Sequence, residues 1–329
     1  MKPWIAIFAG AGFLLAQGSD AERSFADIFA AVLAGENPDG GIWEGPGRYL
    51  EAAARRAKLS KEDAQRALKG EIDKYRVLIV PGFMSECAAA PAFEATRRYL
   101  KATHGVDIDL LQVPDDSSEN NGLLIAKYLR DHAGGRKFIV VGHSKGAPDL
   151  QLALQHPAAA ATVAGFVSLA GAVGGSPLAD LAEGLSLPGN MQTSFGCAGK
   201  IGPALQSLRT DVRRSFLASH PDAPVPSWSL VAASGFSNTS KILLPTWGLL
   251  GAGFRDKEDG MLLAADGRLP RATFLGTLLA DHVAVAHDFG PTRLSALYDK
   301  SRYPRTALLE AILRFVVADL DDHAARSAR

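Results

Sequence analysis

The chain has 329 residues, 47% of them hydrophobic and 21% charged, with 35 basic against 35 acidic side chains. This is the composition of a globular protein with enough chain for one large core or two small ones, and it excludes a low-complexity disordered polymer. The even charge balance, with no long basic run, gives nucleic acid or an anionic membrane surface nothing to hold and leaves a neutral or mixed small molecule as the expected ligand.

Residues 1–18 carry one cation, Lys2, ahead of an apolar stretch with a small-x-small ending. The pattern predicts a secretory signal peptide cleaved near Gly18 and a periplasmic or secreted protein; an uncleaved anchor and a buried first helix are the alternatives. The stretch is short for a membrane span of about 20 residues, so no stable span is expected. In an oxidising compartment Cys87 and Cys197 can pair, and two buried thiols are the other possibility. Residues 19–74 form an N-terminal helical extension, with patterns over 25–34 and 47–68 and an N-cap signal at Ser60.

From residue 75 to 329 short apolar runs alternate with helical stretches, the pattern of an α/β protein with a mainly parallel sheet flanked by helices. Strands are predicted over 76–80, 107–113, 137–141, 163–170, 227–232 and 273–279, and helices over 91–103, 118–133, 147–156 and 306–320. One domain accounts for this block. The segment 181–225 is too long for an ordinary connection and reads as a lid-like or cap insertion with an amphipathic run over 204–218.

The chemistry begins at Gly142-His143-Ser144-Lys145-Gly146, a GxSxG pentapeptide between an apolar β-branched run and a helical one. At such a corner the serine is forced into a strained conformation with its hydroxyl above the sheet, and the flanking glycines relieve collisions in the turn. A serine needs a base within reach, and the base needs an acid to fix its tautomer. Of the eight histidines, His104, His132 and His156 fall at predicted helix ends, where surface or capping roles are expected. His143 reads as a turn residue pointing away from the serine, His220 lies in the insertion and His323 in the tail. His282 follows the last predicted strand and is the expected base, with His287 as runner-up. The order serine, acid, histidine then asks for a carboxylate after the penultimate strand, and Asp259 before Gly260 fits a tight turn, with Asp256 and Asp266 as alternatives. Asp281 is expected to be a solvated neighbour of His282 or a supporting group. For the oxyanion, the donors expected are the backbone amides of Lys145 and of Phe83, or Met84 in its place, in the loop Pro81-Gly82-Phe83-Met84.

These residues resemble the α/β-hydrolase superfamily and, within it, bacterial lipases of the triacylglycerol lipase type, over roughly residues 75 to 290. Pro81-Gly82-Phe83 is similar to the His-Gly-x oxyanion loop, with Pro in place of His. Ser118-Glu119-Asn120-Asn121 is similar to the segment before the elbow strand. Residues 168–180, ending Gly175-Ser176-Pro177-Leu178-Ala179-Asp180, resemble the lipase segment before the lid, except that Gly-Ala-Val-Gly replaces Thr-Pro-His-Arg. The resemblance implies hydrolysis of a small-molecule or lipid ester through an acyl-enzyme on Ser144 and no cofactor; an acyltransferase, or a noncatalytic binding protein on a hydrolase scaffold, is the alternative. A structural calcium is not expected, because Ala284 stands where those lipases place an aspartate ligand.

Overall fold

The computed structural model describes residues 19–35, 46–51, 68–83, 85, 91–184, 201–254, 256–288, 296–297 and 302–327. The leader, Ser60, Met84, Cys87, Cys197 and residues 185–200 of the insertion lie outside the described residues.

Among the described residues six parallel strands form one sheet in the order β2-β1-β3-β4-β5-β6. They are β1 (Tyr75–Val80), β2 (Ile108–Leu110), β3 (Lys137–His143), β4 (Val163–Leu169), β5 (Ser227–Ala232) and β6 (Thr273–Leu278). All coincide with predicted runs, β2 being the one much shortened. Along β1, β3 and β4 apolar residues fill both faces, as a sheet covered on two sides requires, while β5 alternates, with Trp228 and Leu230 in one core and Ser227 and Ser229 on the other face. Along β3, Ile139 and Val141 point into one core and Phe138 and Val140 into the other.

The first core is roofed by α1 (Asp20–Leu33), α3 (Glu94–His104) and the last helix, α11 (Arg305–Ser327); the four-residue α2 (Lys69–Ile72) precedes β1. Helix α1 starts earlier than its apolar pattern because Ser19 and Glu22 close a reciprocal capping box, satisfying amides the first turn leaves open. Its Phe25 is fully buried and meets Phe29 and Phe315 with ring centroids 6.2 and 6.1 Å apart. The second core lies under α4 (Ser118–His132), α5 (Gly146–Leu154) and the short α6 (Pro157–Ala160).

Between β4 and β5 the chain forms α7 (Pro177–Gly184), α8 (Ile201–Ser207) and α9 (Thr210–Ser219). The run predicted over 204–218 is thus two helices. Asp180 accepts from the amide of Thr210 at 2.9 Å and from its hydroxyl at 2.7 Å, and this cap starts a new helix where an unbroken one was expected. Helix α10 (Leu244–Phe254) was not anticipated, since Pro245 and three glycines erase any apolar period. No described helix is long and apolar enough to cross a membrane.

The chain builds outward from β1 to β2 and then back to β3 on the other side of β1, so the loops after β1 and β3 part company between neighbouring strands. A crevice at such a switch point, above the carboxyl ends of the strands, is where open α/β sheets place ligands.

Candidate active site

Ser144 stands at that crevice, one residue beyond β3, with φ at +53°. For a residue with a Cβ the left-handed region stores strain of about 1–3 kcal/mol, which persists only where the surroundings enforce it. They do so here. The Ser144 carbonyl accepts from the amides of Ala147 at 3.1 Å and Ala172 at 3.0 Å. Gly146 lets the elbow helix sit on β1, because a Cβ there would lie 2.1 Å from the carbonyl oxygen of Val80. The loop after β1 comes equally close: a Cβ on Gly82 would meet the Cβ of Ser144 at 2.5 Å and its Oγ at 2.9 Å. Phe83, the next residue, is half-buried. Lys145 is the N-cap of α5, so its amide belongs to the open end of that helix.

The loop after β6 carries His282 to the serine. Nε2 of His282 lies 2.7 Å from the Oγ of Ser144, and Nδ1 lies 2.7 Å from Oδ2 of Asp259. A carboxylate only accepts, so Nδ1–H donates to Asp259 and the bare Nε2 accepts the serine proton. Asp259 is itself held in a turn: its Oδ1 accepts from the amides of Met261 at 2.9 Å and Leu262 at 2.8 Å, and its carbonyl from the amide of His282 at 2.9 Å. Gly260, at φ +90°, makes that turn possible. Burial alone would push the His282 pKa down, but the charge of Asp259, its hydrogen bond and the charge of Asp281 together hold it above 6.5. Glu258, next to Asp259, is pushed up to about 7, by burial first and then by the charge of Asp259, against the Gly260 amide that donates to it at 2.5 Å.

The alternatives are placed elsewhere. Asp256 accepts from the amides of Lys257 and Ala265, and Asp266 faces Arg214 at 3.3 Å. His287 is half-buried, its ring 6.2 Å from that of His143. Asp281 is fully buried, and its two oxygens accept from Ser240 at 2.8 Å, Val283 at 3.1 Å and Ala284 at 2.8 Å, so it clamps the histidine loop and is no solvated neighbour.

Two histidines depart from expectation. His143 ends β3, not a turn, and its buried ring lies 5.1 Å from that of His282 with Nε2 donating to the His282 carbonyl at 3.3 Å. Burial, followed by repulsion from His282 and His287, puts its pKa well below 6.5, so it stays neutral beside His282. His104 is also buried, 3.2 Å from Glu310 on α11, because α3 packs its last turn under that helix. Nothing in a linear pattern gives either contact away, since each partner lies more than a hundred positions distant. Among the described residues no group of three or more histidine, cysteine or carboxylate side chains is placed to hold a metal.

No family model and no curated relative matches the chain. Solved structures do. The metagenomic carboxyl esterase MGS0156 is 32% identical over 97% of this chain and 97% of its own, with a TM-score of 0.77. The chain belongs to the α/β-hydrolase superfamily, among its esterases and lipases. The mature lipase BlEst2 of Bacillus licheniformis is 27% identical over 63% of this chain and 84% of its own at a TM-score of 0.52, and the propeptide form gives 26% and 0.51. This α/β-hydrolase therefore shares nearly its whole length with one esterase, and the lipase likeness covers about two thirds of it.

Proposed function

We propose that this α/β-hydrolase cleaves carboxylic esters through an acyl-enzyme on Ser144. What carries the proposal is the unbroken line Asp259, His282, Ser144, with both links at 2.7 Å and the serine held on a strained corner. The His282 imidazole takes the hydroxyl proton as Oγ attacks the ester carbonyl, Asp259 stabilises the imidazolium, and the proton passes to the leaving alkoxide. Water then attacks the acyl-enzyme by the same route in reverse. The oxyanion formed in each half-reaction is held by the amides of Lys145, at the open end of α5, and Phe83, beside the Gly82 contact. The likeness to the carboxyl esterase MGS0156 over both full lengths supports an ester over other acyl substrates.

A chromogenic ester series of increasing acyl length, run on wild type and Ser144→Ala, tests this. Turnover by wild type that the variant lacks is expected; equal turnover by both, or none by wild type, would overturn it.

A further inference from the structure

Two side chains beneath the elbow are charged and buried, and the mechanism above leaves both unused. Lys145 is 2% exposed and Asp149 1%. The Lys145 ammonium donates to both oxygens of Asp149, at 2.8 and 2.9 Å, one helical turn along α5. Asp149 also accepts from Asn121 Nδ2 at 2.9 Å and from Ser118, both on α4. Asn121 donates in addition to the carbonyl of Pro114 at 3.0 Å, and Ser118 lies 3.2 Å from Ser207 on α8. On the other side Arg213 of α9, equally buried, donates to Gln151 of α5 at 2.6 Å and to the carbonyl of Val173 at 3.1 Å. Burying a charged pair is costly, and apolar residues of similar volume would serve stability about as well. A turn this short gains something else from the pair: a fixed geometry.

Lys145 carries the backbone amide assigned above to the oxyanion. We infer that its side chain is a positioning group: the Lys145–Asp149 pair, clamped to α4 by Asn121 and Ser118, fixes the peptide plane of that amide so that it points at the developing negative charge. The N–H of Lys145 lies in the peptide plane that it shares with the Ser144 carbonyl, which the amides of Ala147 and Ala172 hold from one side; from the other, the Lys145 side chain is tied to a buried anion that four groups hold: Lys145, Asn121 and Ser118 by hydrogen bonds, Arg213 by charge. The inference rests on the amide's role as an oxyanion donor. It goes beyond that role in giving a task to a side chain that touches no substrate.

The test is the double variant Lys145→Met/Asp149→Leu, which removes both members of the pair together and leaves Arg213 its hydrogen bonds to Gln151 and Val173, compared with wild type for kcat, KM, thermal midpoint and affinity for a trifluoromethyl ketone. That ketone forms a tetrahedral oxyanion on the serine, so its binding reads the donor directly. A misaimed donor should lower kcat by about tenfold to a hundredfold. The ketone should weaken in parallel, with KM and thermal midpoint near wild type. Wild-type kcat in the folded double variant would overturn the inference, as would a loss spread equally over KM, midpoint and kcat. Asn121→Ala, which removes one hydrogen bond to Asp149 and keeps both charges, decides the matter if the double variant does not fold: a severalfold loss of kcat at unchanged KM supports positioning, and wild-type kcat refutes it. Failure of the hydrolase assignment itself shows separately, as undiminished turnover by Ser144→Ala.

Discussion

The imidazole of His143 lies 5.1 Å from that of His282 and donates to the carbonyl oxygen of the same residue at 3.3 Å. One ring is held neutral and the other is held ready to take a proton, by opposite shifts in their pKa. The pair therefore divides the pH dependence of stability. The folded pKa of His143 is depressed, so its contribution is present above 6.5 and lost as pH falls below it. His282 is the reverse: its folded pKa is raised, and its contribution is complete below 6.5 and lost as pH rises through the raised value. His143→Gln, which keeps a donor for the carbonyl, should flatten the acid-side fall in unfolding free energy, measured by urea titration at a series of pH values below 6.5. An unchanged acid-side slope would contradict the assignment.

On the proposed mechanism the pH dependence of activity reports His282. The base must be neutral to accept the serine proton, so kcat/KM should rise with pH along a limb whose midpoint lies above 6.5. Asp259→Asn removes the main groups holding that pKa up and leaves burial, so the midpoint should move below 6.5 while kcat falls by about a thousandfold to ten-thousandfold. A pH–rate profile of the variant checks both.

Gly82 has no room for a methyl group. Its Cβ would overlap Ser144 at 2.5 Å, against side chain where Ser144 has no freedom to retreat. Gly82→Ala should lower kcat by about a hundredfold through displacement of the nucleophile or the donor beside it, with far less effect on the thermal midpoint, since the collision is at the rim and not in either core. Steady-state kinetics with a melting curve separate the two.

Asp281 supports three amides of the loops around the base. Asp281→Ala leaves these buried donors unpaired and should cost about 2–4 kcal/mol of stability. Because two of those amides, Val283 and Ala284, directly follow the base, kcat should fall as well. Chemical denaturation and a rate assay on the same preparation measure this.

The strands were legible because both faces of the sheet are covered: the apolar runs that make β1, β3 and β4 continuous are themselves the record of two cores. Ser144, Asp259 and His282 were named from chain order and loop position, both properties of the line of residues. The groups that tune them were legible only in part. The Lys145 side chain has no role in the sequence until Asp149, Asn121 and Ser118 are folded around it, and Asp281 reads as a solvated neighbour or a supporting group until Ser240, 41 positions away, decides between them. Helix α10 escaped for a different reason, since Leu-Pro-Thr-Trp-Gly-Leu-Leu-Gly-Ala-Gly-Phe has neither period nor charge, and the chain around it supplies the fold.

The most direct test of Ser144 as an activated nucleophile is covalent. A fluorophosphonate phosphonylates a serine hydroxyl when a neighbouring base removes its proton, with fluoride leaving. Wild type incubated with the probe and mapped by peptide mass spectrometry should carry one adduct, on Ser144, which His282→Ala slows severely and Ser144→Ala abolishes. An adduct on a different residue, or none on folded wild type, would contradict the account.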